Sequence, residues 1–219
     1  MKKLIIWDFD GVIADTENLW VASRRVLLNQ TFGLNWDYDT AYKHLGGRSD
    51  KDKKIALQKL GLDIPDEFWD NSVRDVLKKL AEGIFITPGI EDIFKMTNIN
   101  QCIATGGTIN STAFKLKHAG IEKYFPPEKV FTVDLVRYGK PEPDLFLLAA
   151  ETMGYAPQEC LVIEDSTAGL TAALRAKMTP AAFVKYDTPA YIEEIKKLGI
   201  DHIFDDMNEV KKFILQCFS

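Results

Sequence analysis

Short apolar runs recur along the chain and alternate with segments of helical periodicity. The apolar runs predict strands at 3–7, 101–104, 129–132, 160–163 and 181–184. Helical patterns at 109–119, 143–153 and 166–177 separate most of them, with Gly, Pro and Ser at their ends. Strands that alternate with helices of this length imply right-handed crossovers and a mostly parallel sheet. The pattern predicts a doubly wound α/β core.

The interval between the first two predicted strands is too long for one crossover, since about 90 residues separate Asp10 from Gln101. Helical patterns fill it at 16–30, 38–44, 51–60 and 65–82. In the last of these, an apolar stripe at helical spacing is typical of a bundle core: Trp69, Val73, Val76, Leu77 and Leu80. We predict a helical bundle, residues 17–85, inserted into a core of residues 1–16 and 86–219.

Composition excludes several classes of protein. The 219 residues are 46% hydrophobic and carry a net charge of -5, which indicates neither a nucleic-acid nor a membrane partner. No apolar run approaches the roughly 20 residues that span a bilayer, and Asp8 interrupts the apolar start too early for a secretion signal. The three cysteines, Cys102, Cys160 and Cys217, lack the spacing of a zinc site. We expect a cytoplasmic monomer.

Polar residues follow the predicted strands at the edge where an open α/β sheet binds its ligands. The set comprises Asp8, Asp10 and Gly11 after the first strand, Thr105, Gly106 and Gly107 after the second, Lys140 before the helix at 143, and Glu164 and Asp165 after the fourth. Each group alone is more typical of a loop, a turn or a helix cap than of a functional site. Their repeated placement at strand ends favours one common site.

The chemistry of this set suits a metal ion and an anion. Clustered carboxylates repel unless a cation joins them, and oxygen ligands from short acidic side chains suit Mg²⁺. Thr105 and the amides of Gly106 and Gly107 can donate hydrogen bonds to a tetrahedral anion, and Gly11 allows close backbone approach. Lys140 supplies a compensating positive charge.

Four segments resemble the motifs of the haloacid dehalogenase-like (HAD) hydrolase superfamily. They are DFDGVIADT, CIATGG with Thr105, YGKPEPDLF with Lys140, and CLVIEDSTAG with Glu164 and Asp165. The resemblance covers essentially the whole chain, because the insertion lies where this superfamily has its type-1 cap. Within the superfamily, the chain looks like the β-phosphoglucomutase and sugar-phosphate phosphatase branch. The resemblance implies a Rossmann-like HAD core with a helical cap.

The resemblance also implies roles for individual residues. Asp8 would be the nucleophile that becomes an aspartyl-phosphate, and Asp10 would be the general acid and base. Thr105, Gly106 and Lys140 would hold the phosphoryl group. Mg²⁺ would be organised by Asp8, the Asp10 carbonyl, Glu164 and Asp165. The expected activity is Mg²⁺-dependent hydrolysis of a small phosphorylated metabolite: a sugar, polyol or sugar-acid phosphate.

Two residues of the predicted cap are candidates for contact with the substrate. Arg48, in HLGGRSDK, resembles the substrate-specificity loop of this branch, although a solvated loop arginine is an equal alternative. Trp20 stands where the β-phosphoglucomutase pattern has a histidine, and it is either cap core or a surface for stacking on a sugar. Because an indole nitrogen can only donate a hydrogen bond, this departure favours hydrolysis over mutase activity.

Three other functions share part of this pattern of residues. A β-phosphoglucomutase-like mutase shares the same core motifs and remains the first alternative. A phosphorylatable receiver-like regulatory domain also places acids, a hydroxyl and a lysine around Mg²⁺, but it lacks the long helical insertion. Resemblance to a haloacid dehalogenase would require loss of the second acid, so the presence of Asp10 argues against that function. The mutase and the receiver-like domain differ from a phosphatase in what becomes of the phosphoryl group.

Overall fold

The computed structural model describes residues 1–46, 50–185 and 189–218. The chain forms two compact units. One contains Met1–Ala14 and Phe85–Ser219, and the other contains Asp15–Ile84. The bounds of the second unit differ slightly from the 17–85 predicted for the insertion.

The first unit is built on a six-stranded parallel sheet with the order β3-β2-β1-β4-β5-β6. Its strands are β1 (Leu4–Trp7), β2 (Asn100–Thr105), β3 (Val130–Thr132), β4 (Cys160–Glu164), β5 (Thr179–Phe183) and β6 (Ile203–Phe204). This topology confirms the predicted doubly wound α/β core. Strand β1 lies at the centre and is fully buried, so the residue after it emerges between β2 and β4.

Among the described residues, six α-helices belong to the same unit. They are α5 (Ile90–Phe94), α6 (Ile109–His118), α7 (Asp144–Met153), α8 (Thr167–Arg175), α9 (Pro189–Lys197) and α10 (Met207–Phe218). Side-chain caps fix two helix starts near the polar sheet edge. The Thr108 hydroxyl accepts from the Ser111 amide at 3.3 Å, and the Ser166 hydroxyl accepts from the Gly169 amide at 3.0 Å.

Apolar side chains cover the sheet and hold it rigid. One buried cluster joins Leu4 and Ile6 of β1 to Phe146 of α7 and Ala172 of α8. Close packing of this kind leaves the strand ends little freedom to move. The residues that follow β1, β2 and β4 are therefore held on a firm scaffold.

The second unit consists of α1 (Glu17–Phe32), α2 (Tyr38–Leu45), α3 (Asp50–Gln58) and α4 (Asp66–Ala81). Its core includes Val21, Leu28, Leu45, Phe68 and Trp69. The predicted stripe on α4 is buried at Trp69, Val76 and Leu80, but Leu77 is exposed. Within the described parts of both units, no helix is long and apolar enough to cross a membrane.

Candidate active site

A buried lysine joins two carboxylates at the centre of the sheet edge. Asp8 follows β1, and its amide donates to the Ile163 carbonyl at 2.9 Å, which continues the strand pairing by one residue. The Lys140 ammonium donates to Asp8 Oδ1 at 2.5 Å, to Glu164 Oε1 at 2.8 Å and to the Ala104 carbonyl at 3.0 Å. The three charged side chains are at most 9% exposed. Lys140 thereby connects the ends of β1, β2 and β4.

Asp8, Glu164 and Asp165 offer oxygen atoms that all lie within 4.8 Å of one another. The second oxygen of Glu164 accepts from the amide and the hydroxyl of Ser166, at 2.6 and 2.9 Å. With Lys140 beside them, three carboxylates face one ammonium. This donor set fits a hard divalent cation, which would neutralise the surplus negative charge.

The same crowding shifts the ionisation of these groups. Burial raises the pKa of Asp8 to about 7, and the charges of Glu164 and Asp10 add to this effect while Lys140 opposes it. Burial, together with Glu164 and Asp8, also holds the pKa of Asp165 well above its usual range. For Lys140, burial favours loss of the proton, but Asp8 and Glu164 outweigh it and raise the pKa. A bound cation would favour the ionised form of every carboxylate in the cluster.

Two glycines make room for the carboxylates. A Cβ atom on Gly11 would lie 1.9 Å from Asp165 Oδ2, and the φ of Gly11 is +87°. A Cβ atom on Gly169 would lie 1.7 Å from Glu164 Oε1. Gly11 was predicted as a site residue from its position after Asp10, whereas Gly169 was missed. The sequence could have indicated Gly169, because it is a glycine in the first turn of the helix that follows Glu164 and Asp165.

The loop after β2 carries the residues that were predicted to bind an anion, Thr105, Gly106 and Gly107. Thr105 is 1% exposed, and its hydroxyl oxygen accepts from the Gly107 amide at 3.1 Å. Its O–H hydrogen can still be donated, because a hydroxyl both donates and accepts. Apart from its chain neighbours, no described residue has a heavy atom within 4 Å of where a Cβ of Gly106 would be, so the loop has open space beside it. Thr105, Gly106 and Gly107 thus lie on one short turn at the sheet edge.

A second lysine, which sequence reasoning missed, contacts Asp10. Lys115 of α6 donates to both carboxylate oxygens of Asp10, at 2.7 and 2.5 Å. Its ammonium also lies 5.0 Å from the centre of the Phe9 ring. The signal in the sequence is a lysine on the same helix face as Thr112, among buried positions. A lysine at such a position is unusual unless it is paired.

Trp20 lies in α1 of the helical unit and is half-buried. The Arg24 guanidinium lies 5.0 Å from the Trp20 ring and 4.9 Å from the Trp69 ring. Trp20 therefore contacts a buried residue of its own unit, since Arg24 is 2% exposed. Arg48 lies outside the described residues.

The chain is similar in sequence and in fold to known hydrolases and phosphatases. A family model described as haloacid dehalogenase-like hydrolase matches residues 2–177. Hexitol phosphatase A of Escherichia coli is 31% identical over 181 residues, covering 80% of this chain and 79% of the relative. Fructose-1-phosphate phosphatase YqaB of the same species is 31% identical over 178 residues, covering 80% and 92%. Among solved structures, a haloacid dehalogenase-like protein from Agrobacterium tumefaciens superposes with a TM-score of 0.88 at 22% identity, over 100% of both chains.

Proposed function

Because the chain belongs to the haloacid dehalogenase-like hydrolases, we propose that it is a phosphatase that hydrolyses a small phosphorylated carbohydrate through an aspartyl-phosphate. The observation that carries the proposal is the contact of Lys140 with Asp8 at 2.5 Å and Glu164 at 2.8 Å. This contact holds an aspartate at the end of the central strand, beside the hydroxyl and amide donors of the Thr105 turn. A nucleophile, a positive charge and an anion-binding turn are what phosphoryl transfer requires.

In the first step, a carboxylate oxygen of Asp8 attacks phosphorus and forms an O–P bond. The bond from phosphorus to the ester oxygen breaks, and the leaving alkoxide takes a proton from Asp10. The alcohol departs, and the phosphoryl group stays on Asp8. Lys140 and the Thr105 turn would bind its oxygens, since this transfer depends mainly on positioning and charge neutralisation.

In the second step, water attacks the phosphorus of the acyl-phosphate. Asp10, now a carboxylate, accepts the proton of that water, and the bond between phosphorus and Asp8 breaks. Inorganic phosphate leaves, and Asp8 and Asp10 return to their starting protonation. Each residue is regenerated in every cycle.

Asp8, Glu164, Asp165 and the Asp10 carbonyl would hold Mg²⁺, which supplies charge neutralisation for the phosphoryl oxygens when it is bound. The fit rests on the close oxygen set of Asp8, Glu164 and Asp165. Gly11 and Gly169 support it, because each leaves space that a carboxylate occupies. Small hard cations with oxygen ligands are what such a set selects.

Substrate class is proposed from the relatives. Two of them are named hexitol phosphatase A and fructose-1-phosphate phosphatase YqaB. Each of these relatives is 31% identical to this chain, and both names refer to a phosphate monoester of a six-carbon sugar or polyol. We propose the same substrate class for this chain. Trp20 and Arg48 of the predicted cap stay candidates for contacts with the non-reacting part of such a substrate.

The direct test is phosphate release by the purified protein from fructose 1-phosphate, sorbitol 6-phosphate, 6-phosphogluconate and a nucleoside monophosphate. We expect turnover of the sugar or polyol esters with Mg²⁺, its loss in EDTA, and its return when Mg²⁺ is restored. Asp8→Asn serves as the control for contaminating phosphatases. Absence of release from every ester, or release that survives Asp8→Asn, would contradict the proposal.

A mutase and a receiver-like domain are alternative outcomes of a second assay. β-Glucose 1-phosphate, with a catalytic amount of glucose 1,6-bisphosphate, distinguishes them through glucose 6-phosphate and free phosphate. A phosphatase gives phosphate, whereas a mutase gives glucose 6-phosphate with little phosphate. Slow loss of phosphate from the protein, without turnover of esters, would instead indicate a receiver-like domain.

A further inference from the structure

Lys115 reaches the sheet edge from a helix that carries none of the recognised motifs. It lies in α6, and 105 residues of sequence separate it from Asp10. The helix starts at the Thr108 cap directly after the Thr105 turn, and Lys115 lies in its second turn. The Lys115 ammonium is also 3.7 Å from where a Cβ atom of Gly107 would lie.

The contact with Asp10 has the geometry of a restraint. Both carboxylate oxygens receive a hydrogen bond, at 2.7 and 2.5 Å, so rotation about the last bond of the Asp10 side chain would break one of them. The Lys115 side chain is 6% exposed, whereas that of Asp10 is 33% exposed. The ammonium therefore holds the carboxylate from the buried side.

Asp10 can still donate or accept a proton while Lys115 contacts it. A carboxylate has about four lone-pair sites, of which Lys115 occupies one on each oxygen. The remaining sites can carry or accept a proton. Burial of a lysine costs free energy, which the ion pair and the Phe9 ring offset.

We propose that Lys115 is a positioning residue that fixes the orientation of the Asp10 carboxyl group, which gives its proton to the leaving group. The inference rests on the proposed phosphatase function, in which Asp10 is the general acid and base. Misplacement of a reacting group by about 1 Å can cost about 100-fold in rate. Loss of the restraint should therefore reduce the chemical step more than substrate binding.

The test compares esters that differ in their need for a proton. An alkyl phosphate such as fructose 1-phosphate expels an alkoxide, which must be protonated, whereas p-nitrophenyl phosphate expels a stable anion. For Lys115→Met we expect kcat on the alkyl ester to fall by about 10- to 100-fold, with KM within about threefold, and kcat on p-nitrophenyl phosphate to fall by less than about threefold. Lys115→Arg, which keeps a charged donor, should recover part of the loss on the alkyl ester.

Lys117→Met is the matched control, since Lys117 lies in the same helix and is exposed. It should behave as the unsubstituted protein, and thermal unfolding should show that every variant is folded. An equal loss on both esters, or a change in KM alone, would overturn the positioning role. If the unsubstituted protein hydrolyses neither ester, the proposed function fails instead, so the two failures are distinguishable.

If Lys115→Met does not fold, Lys115→Ala with added ethylamine replaces it, because the small amine can occupy the vacated space. Recovery of turnover on the alkyl ester, with little effect on p-nitrophenyl phosphate, supports the role. No selective recovery in a folded Lys115→Ala protein overturns it.

Discussion

The α-carbon of Gly11 lies directly against the carboxylate of Asp165, since a Cβ atom there would be 1.9 Å from Oδ2. Gly11→Ala must therefore displace Asp165, and the φ of +87° adds backbone strain. We expect the folded variant to bind Mg²⁺ more weakly and to lose about 100-fold or more in kcat, which a Mg²⁺ titration of steady-state turnover would measure.

Gly33→Ala is the control that separates the effect of backbone strain from the effect of displacing Asp165. Gly33 also has a positive φ, +64°, but, its chain neighbours aside, no described residue has a heavy atom within 4 Å of its Cβ position. It should lose stability without a change in the Mg²⁺ dependence. Equal metal affinity in Gly11→Ala and the unsubstituted protein would contradict this account of Gly11.

Lys140→Met should abolish activity and destabilise the fold. It removes the ammonium from Asp8 and Glu164, and breaking a buried ion pair costs about 3 to 5 kcal/mol. Because 1 kcal/mol corresponds to about 2 to 4 °C in a chain of this size, Tm should fall by roughly 6 to 20 °C. Differential scanning calorimetry would measure it.

The control is Lys95→Met, which breaks the exposed pair of Lys95 with Glu91 at 3.3 Å. A pair of this kind contributes about 0 to 1 kcal/mol. Similar Tm values for Lys140→Met and Lys95→Met would show that the buried pair does not stabilise the fold.

Asp8→Asn should make the metal-free protein more stable at neutral pH, although it removes the nucleophile. The pKa of Asp8 is raised from 3.8 to about 7, so the folded state binds this proton more tightly than the unfolded chain does. The stability that Asp8 contributes is fully present below about pH 4 and is lost as the pH rises towards 7. An amide is neutral at every pH and avoids this loss.

Thermal unfolding in EDTA between pH 4 and pH 8 tests this expectation. The Tm of the unsubstituted protein should fall relative to that of Asp8→Asn as the pH rises, and Mg²⁺ should restore most of the difference at pH 8. A Tm difference that is independent of pH would contradict the raised pKa.

Much of the fold could be predicted from the sequence because parallel strands buried on both faces give continuous apolar runs. The runs at β1, β2 and β4 carried this signal clearly. Strand β6 was missed, since Ile203–Phe204 is two residues long and shows no periodicity. Helices α5, α9 and α10 were also not predicted, so the outer parts of the first unit were less well defined by the sequence than its centre.

The candidate site also contains residues that the sequence predicted and others that it did not. Asp8, Lys140, Glu164 and Asp165 were placed together because each follows a strand or precedes a helix at the same sheet edge. Lys115 could not be found by that rule. It reaches Asp10 through the length of its side chain from within a helix, so its role depends on tertiary packing rather than on position after a strand.

The central claim is that Asp8 carries the phosphoryl group, and trapping that intermediate tests it most directly. Sodium borohydride reduces an acyl-phosphate to an alcohol, so quenching during turnover should convert Asp8 to homoserine, which peptide mass spectrometry detects. We predict homoserine at position 8 only when substrate and Mg²⁺ are both present, and none in Asp8→Asn. Continued turnover with an unmodified Asp8, or reduction of a different carboxylate, would contradict the account.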